Sequence, residues 1–171
     1  MTVASMKQSS VLQGVAKKVI LQVVSTTKTD TFAMTSSTFA DVTGFSASIT
    51  PSATSSKILV MYSFDSWARD AVNQFMTRLL RDSTPVGVGA EAEDRSRTTT
   101  GMRSTGTNDT VQSNAAQFLD SPATTSSITY KVQGKCSVNG QTAHVGRSAV
   151  DNNTAAYSRS IATITLMEVA G

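Results

Sequence analysis

The sequence predicts an all-β protein of about 9–10 antiparallel strands, arranged as a jelly-roll sandwich behind a short N-terminal arm. Three observations predict this class. Short segments alternate apolar and polar residues, as half-buried strands do. Stretches rich in turn-forming residues separate these segments at close intervals. The 171-residue chain also contains 24 serines and 25 threonines. Threonine favours strands and serine favours turns, so the composition agrees with the pattern.

The stretch from Ser56 to Ser66 is the clearest predicted strand, because strand alternation and strand composition agree along its whole length. One face carries four large apolar side chains: Ile58, Val60, Tyr62 and Phe64. Leu59 and Met61 fall on the opposite face. We therefore expect this strand to be covered on both sides for part of its length.

The other predicted strands follow the same reasoning. They are Val19–Ser25, Phe39–Thr43, Phe45–Thr50, Val72–Asp82, Val111–Leu119, Ser127–Ser137, Thr142–Ser148 and Ser160–Ala170. Val72–Asp82 also fits helical spacing, but we interpret it as a strand that begins a hairpin through Val88. Asn139-Gly140 predicts a second hairpin. If the clearest strands, near positions 60, 130 and 165, pair with one another, the topology is a Greek key.

The chain divides into an arm, residues 1–18, and a β domain, residues 19–171. The arm has one apolar stripe at helical spacing, followed by two lysines at its C-terminal end, where cations are favoured. These residues are Val11, Leu12, Val15, Ala16, Lys17 and Lys18. A helix this short is marginal in water. We therefore interpret the arm either as a flexible segment or as an element that docks on a partner surface.

Composition and motifs argue against several function classes. The net charge is only +3 and the basic residues are scattered, so we expect no nucleic-acid partner. No apolar run has transmembrane length, and the N-terminus lacks a secretory apolar region, so we expect no membrane partner. Cys136 and His144 are the only cysteine and histidine, and neither belongs to a metal or nucleophile motif. We expect a protein that is not an enzyme and has no cofactor or metal.

Two segments are candidate recognition loops. The first contains Trp67, Arg69 and Asp70. The second, Gly89–Asp109, is long, polar and without periodicity, and connections of this length are often functional. It contains three arginines: Arg95, Arg97 and Arg103.

Several stretches of the sequence resemble a small β domain of tailed bacteriophages of aquatic bacteria, including cyanophages. The most specific are TPSATSSKILV, LDSPATTSSITYKVQ and ITLMEV. The resemblance extends from about Val19 to Gly171. It implies a trimeric jelly roll, similar in architecture to the complement globular head and tumour necrosis factor families. Such domains occur in tail fibres and other exposed virion proteins.

The resemblance implies a virion protein that is made in the host cytoplasm. Fibres usually carry a long shaft before such a head, whereas about 18 residues precede the domain here. This favours a homotrimeric capsid cement or decoration protein, with its arm docked on the major capsid protein or another virion protein. The alternative is the head of a short tail fibre that binds a receptor or a glycan of the host surface.

Overall fold

The computed structural model describes residues 19–68, 73–103 and 111–171, and these residues form eleven β-strands and no helix. The strands are β1 (Ile20–Lys28), β2 (Phe32–Met34), β3 (Ala40–Ile49), β4 (Lys57–Ala68), β5 (Gln74–Arg81), β6 (Thr84–Val86), β7 (Thr100–Arg103), β8 (Gln112–Asp120), β9 (Ile128–Cys136), β10 (Ala143–Val145) and β11 (Ala162–Val169). Within the same residues, no helix is long and apolar enough to cross a membrane. The predicted all-β class is confirmed.

The strands form two antiparallel sheets. In the first sheet, β11 lies between β1 and β4, while β8 pairs with the other edge of β4. The short strand β10 also pairs with β4 and connects it to β2. In the second sheet, β9 lies between β3 and β5, and β5 also pairs with β6 and β7. Most of these neighbours are remote in sequence, as the crossovers of a jelly roll require.

The core lies between the two sheets and is centred on β4. Ile58, Val60, Tyr62 and Phe64 all point inward and are buried, as the alternation predicts. Phe64 has its ring centroid 5.7 Å from that of Phe45 and 6.2 Å from that of Phe75, both with edge-to-face geometry. Aromatic pairs at such distances add to the energy of area burial. This cluster therefore joins β4 of one sheet to β3 and β5 of the other.

Two expectations about pairing need correction. The strand near position 130, β9, does not pair with β4 or β11 but lies in the opposite sheet. The Asn139-Gly140 turn does not close a hairpin either, since β9 and the following β10 belong to different sheets. Instead, Gly140 N–H donates to Thr35 O at 3.1 Å, and the turn carries the chain across the sandwich. Asn139 and Gly140 do form a turn, but the turn alone does not determine which strands pair.

Two predicted strands, Phe39–Thr43 and Phe45–Thr50, are one continuous strand, β3. Gly44 lies in the left-handed region, with φ +78°, and the pairing with β9 shifts between Asp41 and Ser46. Glycine adopts this conformation at little cost, so the strand passes through a bulge where the sequence predicts a break.

The predictions for two segments that follow β4 have different outcomes. Val72–Asp82 contains strand β5, with Phe75, Thr77 and Leu79 facing inward, so the strand interpretation is confirmed for its described part. The Gly89–Asp109 segment, expected to lack periodicity, contains strand β7. It pairs with the edge of β5 through backbone hydrogen bonds, and only Met102 is buried. A strand held mainly by its backbone leaves little apolar pattern in the sequence.

Replacing Phe64 by alanine is expected to lower the free energy of unfolding by about 3–5 kcal/mol, because the truncation removes the centre of the aromatic cluster. Urea unfolding followed by fluorescence measures this change. The matched control is Ile161→Ala, an apolar truncation at an exposed position directly before β11, which should change stability by less than about 0.5 kcal/mol. Equal effects of the two substitutions would contradict the position assigned to β4.

Candidate functional site

The outer face of the first sheet carries a row of apolar side chains that crosses four strands. Val23 of β1 pairs with Met167 of β11, Met167 with Leu59 of β4, and Leu59 with Leu119 of β8. With strands about 4.8 Å apart, the row spans roughly 15 Å. We call these four residues the apolar row.

The ends of the apolar row are open to solvent. Val23 is 55% exposed and Leu119 47% exposed. Next to Val23, at the start of the same edge strand, Ile20 is 56% exposed and Leu21 47% exposed. A row of apolar side chains that is open to solvent at both ends is a candidate contact surface.

Small and polar side chains cover the rest of this outer face. Ser25 and Thr165 share a hydrogen bond of 2.9 Å, and Ser63 and Thr163 share one of 3.1 Å. Between β4, β8 and β11 these small groups leave a depression of about 530 Å³, with lining residues that include Met61, Ala115 and Gln117. The face therefore has a protruding apolar side and a recessed side lined mainly by small side chains and Met61.

Trp67 is not an exposed loop residue, which corrects the first candidate recognition loop. It lies in β4 opposite His144 of β10, is only 4% exposed, and stacks on the imidazole with ring centroids 5.5 Å apart. Arg69 and Asp70 lie outside the described residues. Because its aromatic ring is buried against His144, Trp67 cannot present a recognition surface in this structure.

His144 is a buried structural residue on β10. Arg147 Nη2 donates to its Nε2 at 3.3 Å. Burial, together with the positive charge of Arg147, lowers the pKa of His144 to about 4, so the imidazole is neutral at pH 7. Among the described residues, no three histidine, cysteine, aspartate or glutamate side chains form a group that could hold a metal ion.

Cys136 is a small buried residue, as its strand position predicts. Its thiol donates to Met34 O at 3.6 Å and is not exposed. Burial raises the pKa of the Cys136 thiol, which disfavours the reactive thiolate.

The second candidate loop lies on the other sheet, so the structure does not bring its arginines to Trp67. Arg95 and Arg97 are exposed in the connection before β7, and Arg97 Nε donates to Gly89 O at 2.8 Å. Arg103 is exposed on β7 itself rather than in a loop. All three side chains reach solvent near the outer face of the second sheet.

That second outer face is polar and mostly cationic. Its β9 side chains alternate with the buried ones and are polar or basic: Thr129, Lys131, Gln133 and Lys135. Arg78 of β5 lies directly opposite Gln133. The two outer faces of the sandwich therefore differ in chemistry, one apolar to neutral and the other basic.

The arm residues Val11, Leu12, Val15, Ala16, Lys17 and Lys18 lie outside the described residues. Their proposed docking role stays a prediction. β1 begins directly after this segment, next to the exposed Ile20 and Leu21.

A buried carboxylate, Glu168, holds the loop that precedes β4. Its side chain is fully buried at the end of β11, and its Oε1 accepts hydrogen bonds from Ser52 N and Ser52 Oγ at 2.7 and 2.6 Å. Gln22 Nε2 donates to Oε2 at 2.6 Å. Burial alone would raise the pKa of Glu168, but the hydrogen bonds from Ser52 and Gln22 outweigh it and lower the pKa to about 2.

A second carboxylate, Asp120, has a similar role at the end of β8. Arg81 Nη1 donates to both of its oxygens at 3.0 and 2.9 Å, and Tyr130 Oη donates to Oδ2 at 2.6 Å. Ser121 N also donates to Oδ1 at 2.9 Å. Burial, with the adjacent carboxylate, raises the pKa of Tyr130, so its hydroxyl remains a donor.

The two carboxylate sites lie within the three stretches of sequence that carry the resemblance. Glu168 of ITLMEV binds Ser52 of TPSATSSKILV, while Asp120 and Tyr130 both belong to LDSPATTSSITYKVQ. These stretches are therefore structural anchors of the sandwich. The sequence analysis identified these stretches but not the contacts between them, since the hydrogen-bonded residues are up to 116 positions apart in the chain.

No protein-family model and no curated protein matches the chain. Among solved structures, the chain is similar to one in "Structure of infectious bursal disease virus Gx strain", with a TM-score of 0.42 and 12% identity. The match covers 86% of this chain and 40% of that chain, so this chain spans less than half of its length. A likeness this distant does not bear on function, which we infer instead from the surfaces described above.

Replacing Glu168 by glutamine is expected to destabilise the fold by about 1.5–3 kcal/mol at pH 7, the worth of a hydrogen bond to a charged group. The pKa of Glu168 is lower in the folded than in the unfolded chain. Its contribution is therefore complete above about pH 4.5 and is lost as the pH falls towards 2. Urea unfolding at pH 7, 5 and 3 measures both effects.

The difference in stability between wild type and Glu168→Gln should shrink between pH 5 and pH 3. Glu91→Gln is the control, because it makes the same substitution at an exposed carboxylate in the connection before β7. A difference for Glu168→Gln that stays constant with pH would contradict the ionised, buried state of this carboxylate.

Proposed function

We propose that this chain is a structural protein of a virion that assembles as a homotrimer, most simply a cement or decoration protein of a tailed bacteriophage head. The apolar row carries the assembly part of the proposal. Val23 and Leu119 remain solvent-exposed in the single chain. We propose that other copies of the same chain cover them, because such copies are always present at the same concentration.

The shape of the outer face of the first sheet favours a closed ring of copies. Ile20 and Leu21 protrude at the edge of the first sheet, whereas the depression near Met61 and Ala115 lies towards its other side. A contact between two different parts of a surface is heterologous, and heterologous contacts that close produce cyclic oligomers. The number three comes from the resemblance to trimeric jelly rolls.

The virion part of the proposal is supported by the same resemblance, which extends over almost the whole β domain. The proposed role is not enzymatic and needs no cofactor. In this role the arm, residues 1–18, binds the major capsid protein or another virion protein, with Lys17 and Lys18 against an acidic rim of that partner. The second candidate is the head of a short tail fibre, which the basic outer face of the second sheet favours.

Replacing Leu119 by aspartate is expected to convert the trimer to monomers, because it places a charge within the apolar row. Light scattering coupled to size-exclusion chromatography measures the mass. Val138→Asp is the matched control, since Val138 is also exposed but lies in the turn between β9 and β10. Circular dichroism should show that both variants keep the β fold.

An unchanged oligomer in Leu119→Asp, or equal dissociation in Val138→Asp, would contradict the proposed interface. A wild-type chain that is monomeric at micromolar concentration would also contradict it.

A chain that begins at Val19 is expected to remain trimeric but to lose binding to particles stripped of this protein. The expectation follows because the apolar row is retained while the arm is removed. Binding is measured by co-sedimentation with stripped particles, and the full chain is the control. A monomeric truncation would place the trimer contacts in the arm, and full rebinding would remove its docking role.

Antibody labelling of intact particles tests the location directly. Many copies over the head are expected for a cement protein. A few copies at the tail would favour the fibre-head alternative, and no label on the particles would contradict both.

A further inference from the structure

The outer face of the second sheet carries an ordered set of cations on neighbouring strands. Arg78 Nε and Nη2 both donate to Gln133 Oε1, at 2.9 and 2.7 Å. The Arg78 guanidinium also lies 4.2 Å from the centre of the Phe39 ring, and Lys135 Nζ lies 5.2 Å from the same ring centre. Both contacts are cation–π interactions. They hold the two charged groups beside each other over one aromatic ring.

These two charges are not neutralised by a carboxylate within the part of the chain that the structure describes. The carboxylate of Asp41 also lies on this face, but it already accepts hydrogen bonds from Lys131 Nζ at 2.8 Å and from Gln133 Nε2 at 2.7 Å. The hydrogen bonds from Lys131 and Gln133 lower the pKa of Asp41, so it is ionised at neutral pH. Arg78 and Lys135 are thus fixed in place by Gln133 and Phe39 while their charge stays available to a ligand.

A polar depression adjoins this pair. It has a volume of about 390 Å³ and is lined by Gln74, Met76 and Gly101 of the sheet and by Arg95, Ser96 and Thr98 of the preceding connection. Met76 pairs directly with Lys135 on one side and with Gly101 on the other. The depression and the two cations are therefore parts of one continuous surface.

We propose that this surface binds an acidic saccharide, with Arg78 and Lys135 on a uronate carboxylate and Gln74, Ser96 and Thr98 on sugar hydroxyls. Gln133 occupies the Nε–Nη2 edge of Arg78, and the remaining Nη1–Nη2 edge of this planar guanidinium can match the two oxygens of a carboxylate. Amide and hydroxyl side chains both donate and accept hydrogen bonds, as sugar hydroxyls require. The volume lies at the lower end of the range of small-ligand sites, enough for one or two sugar rings.

Other polyanions fit the surface less well. A tight protein partner needs a buried aromatic or aliphatic anchor, and the depression offers only Met76. Single-stranded nucleic acid needs an aromatic platform for base stacking, but Phe39 is already engaged by Arg78. We assign no role to the charge of Arg95, because Glu91, Glu93 and Asp94 precede it in the same connection.

The test measures binding of oligogalacturonate to the full chain by isothermal titration calorimetry, with neutral dextran oligomers as the comparison ligand. The double variant Arg78→Gln/Lys135→Gln is expected to weaken oligogalacturonate binding at least tenfold. Lys57→Gln/Arg159→Gln is the matched control, because it removes the same net charge from other parts of the surface. It should bind like wild type.

A second pair of variants tests the depression itself. Gln74→Glu places a carboxylate among its lining residues and is expected to weaken binding at least tenfold. Asn152→Asp, which makes the same charge change in the exposed connection before β11, should have no effect. The side chain of Gln74 is exposed, so the substitution should leave the fold intact, which circular dichroism checks.

Several outcomes would overturn the proposal: no binding of oligogalacturonate by wild type, equal binding of neutral dextran, or equal loss in the control variants. Loss of binding to stripped particles by Arg78→Gln/Lys135→Gln, without any saccharide binding, would assign the face to an acidic protein instead. The proposal is independent of the proposed assembly. Leu119→Asp should keep the binding of a single oligogalacturonate per chain, so failure of one proposal is distinguishable from failure of the other.

Discussion

The register between β4 and β11 is the constraint on which the rest of the structure depends. Successive strand residues point to opposite faces, so a shift of one residue would exchange the two faces of the sheet. In the observed register, Leu166 pairs with Val60 and Ile164 with Tyr62, and all four face the core. Met167 pairs with Leu59 in the same register, which places both on the outer face. Core and apolar row are therefore two consequences of one pairing.

The same register also places Glu168 where it can hold the loop before β4. Glu168 pairs with Ile58 and points inward at the end of the sheet, where Ser52 and Gln22 reach it. A buried carboxylate is costly unless its oxygens are hydrogen-bonded, and here both oxygens are. Asp120 meets the same requirement through Arg81 and Tyr130. Each carboxylate connects strands that are distant in sequence, so both favour one topology over its alternatives.

The sequence predicts the faces of single strands well, because alternation is a local property. The inward residues of β4, β9 and β11 agree with the alternation of the sequence. Pairing is less predictable, since it depends on contacts between distant segments. The Asn139-Gly140 turn therefore appeared to be a hairpin, and β7, held to β5 by its backbone, left almost no pattern. Trp67 was expected in a loop, whereas it lies near the end of β4 and stacks on His144 of the neighbouring short strand β10.

The candidate surfaces were predictable only in part, for the same reason. The apolar residues on both faces of β4 were visible in the sequence, but the apolar row exists only through three registers that align Val23, Met167, Leu59 and Leu119. The basic face combines Phe39, Arg78 and Lys135 from three parts of the chain, none of which forms a charge cluster in the sequence.

The opposite chemistry of the two outer faces limits how copies of this chain can assemble. A ring that buries the apolar row turns the first sheet towards the symmetry axis, and the second sheet then lies on the outside of every copy. Arg78 and Lys135 would be repeated around the ring, so several weak saccharide contacts could act together on one polymer. Linked sites of this kind gain avidity without any new contact, provided that the polymer can span them. The apolar row would thus set the number of copies in the ring, and that number would set how many basic faces can bind one polymer at the same time.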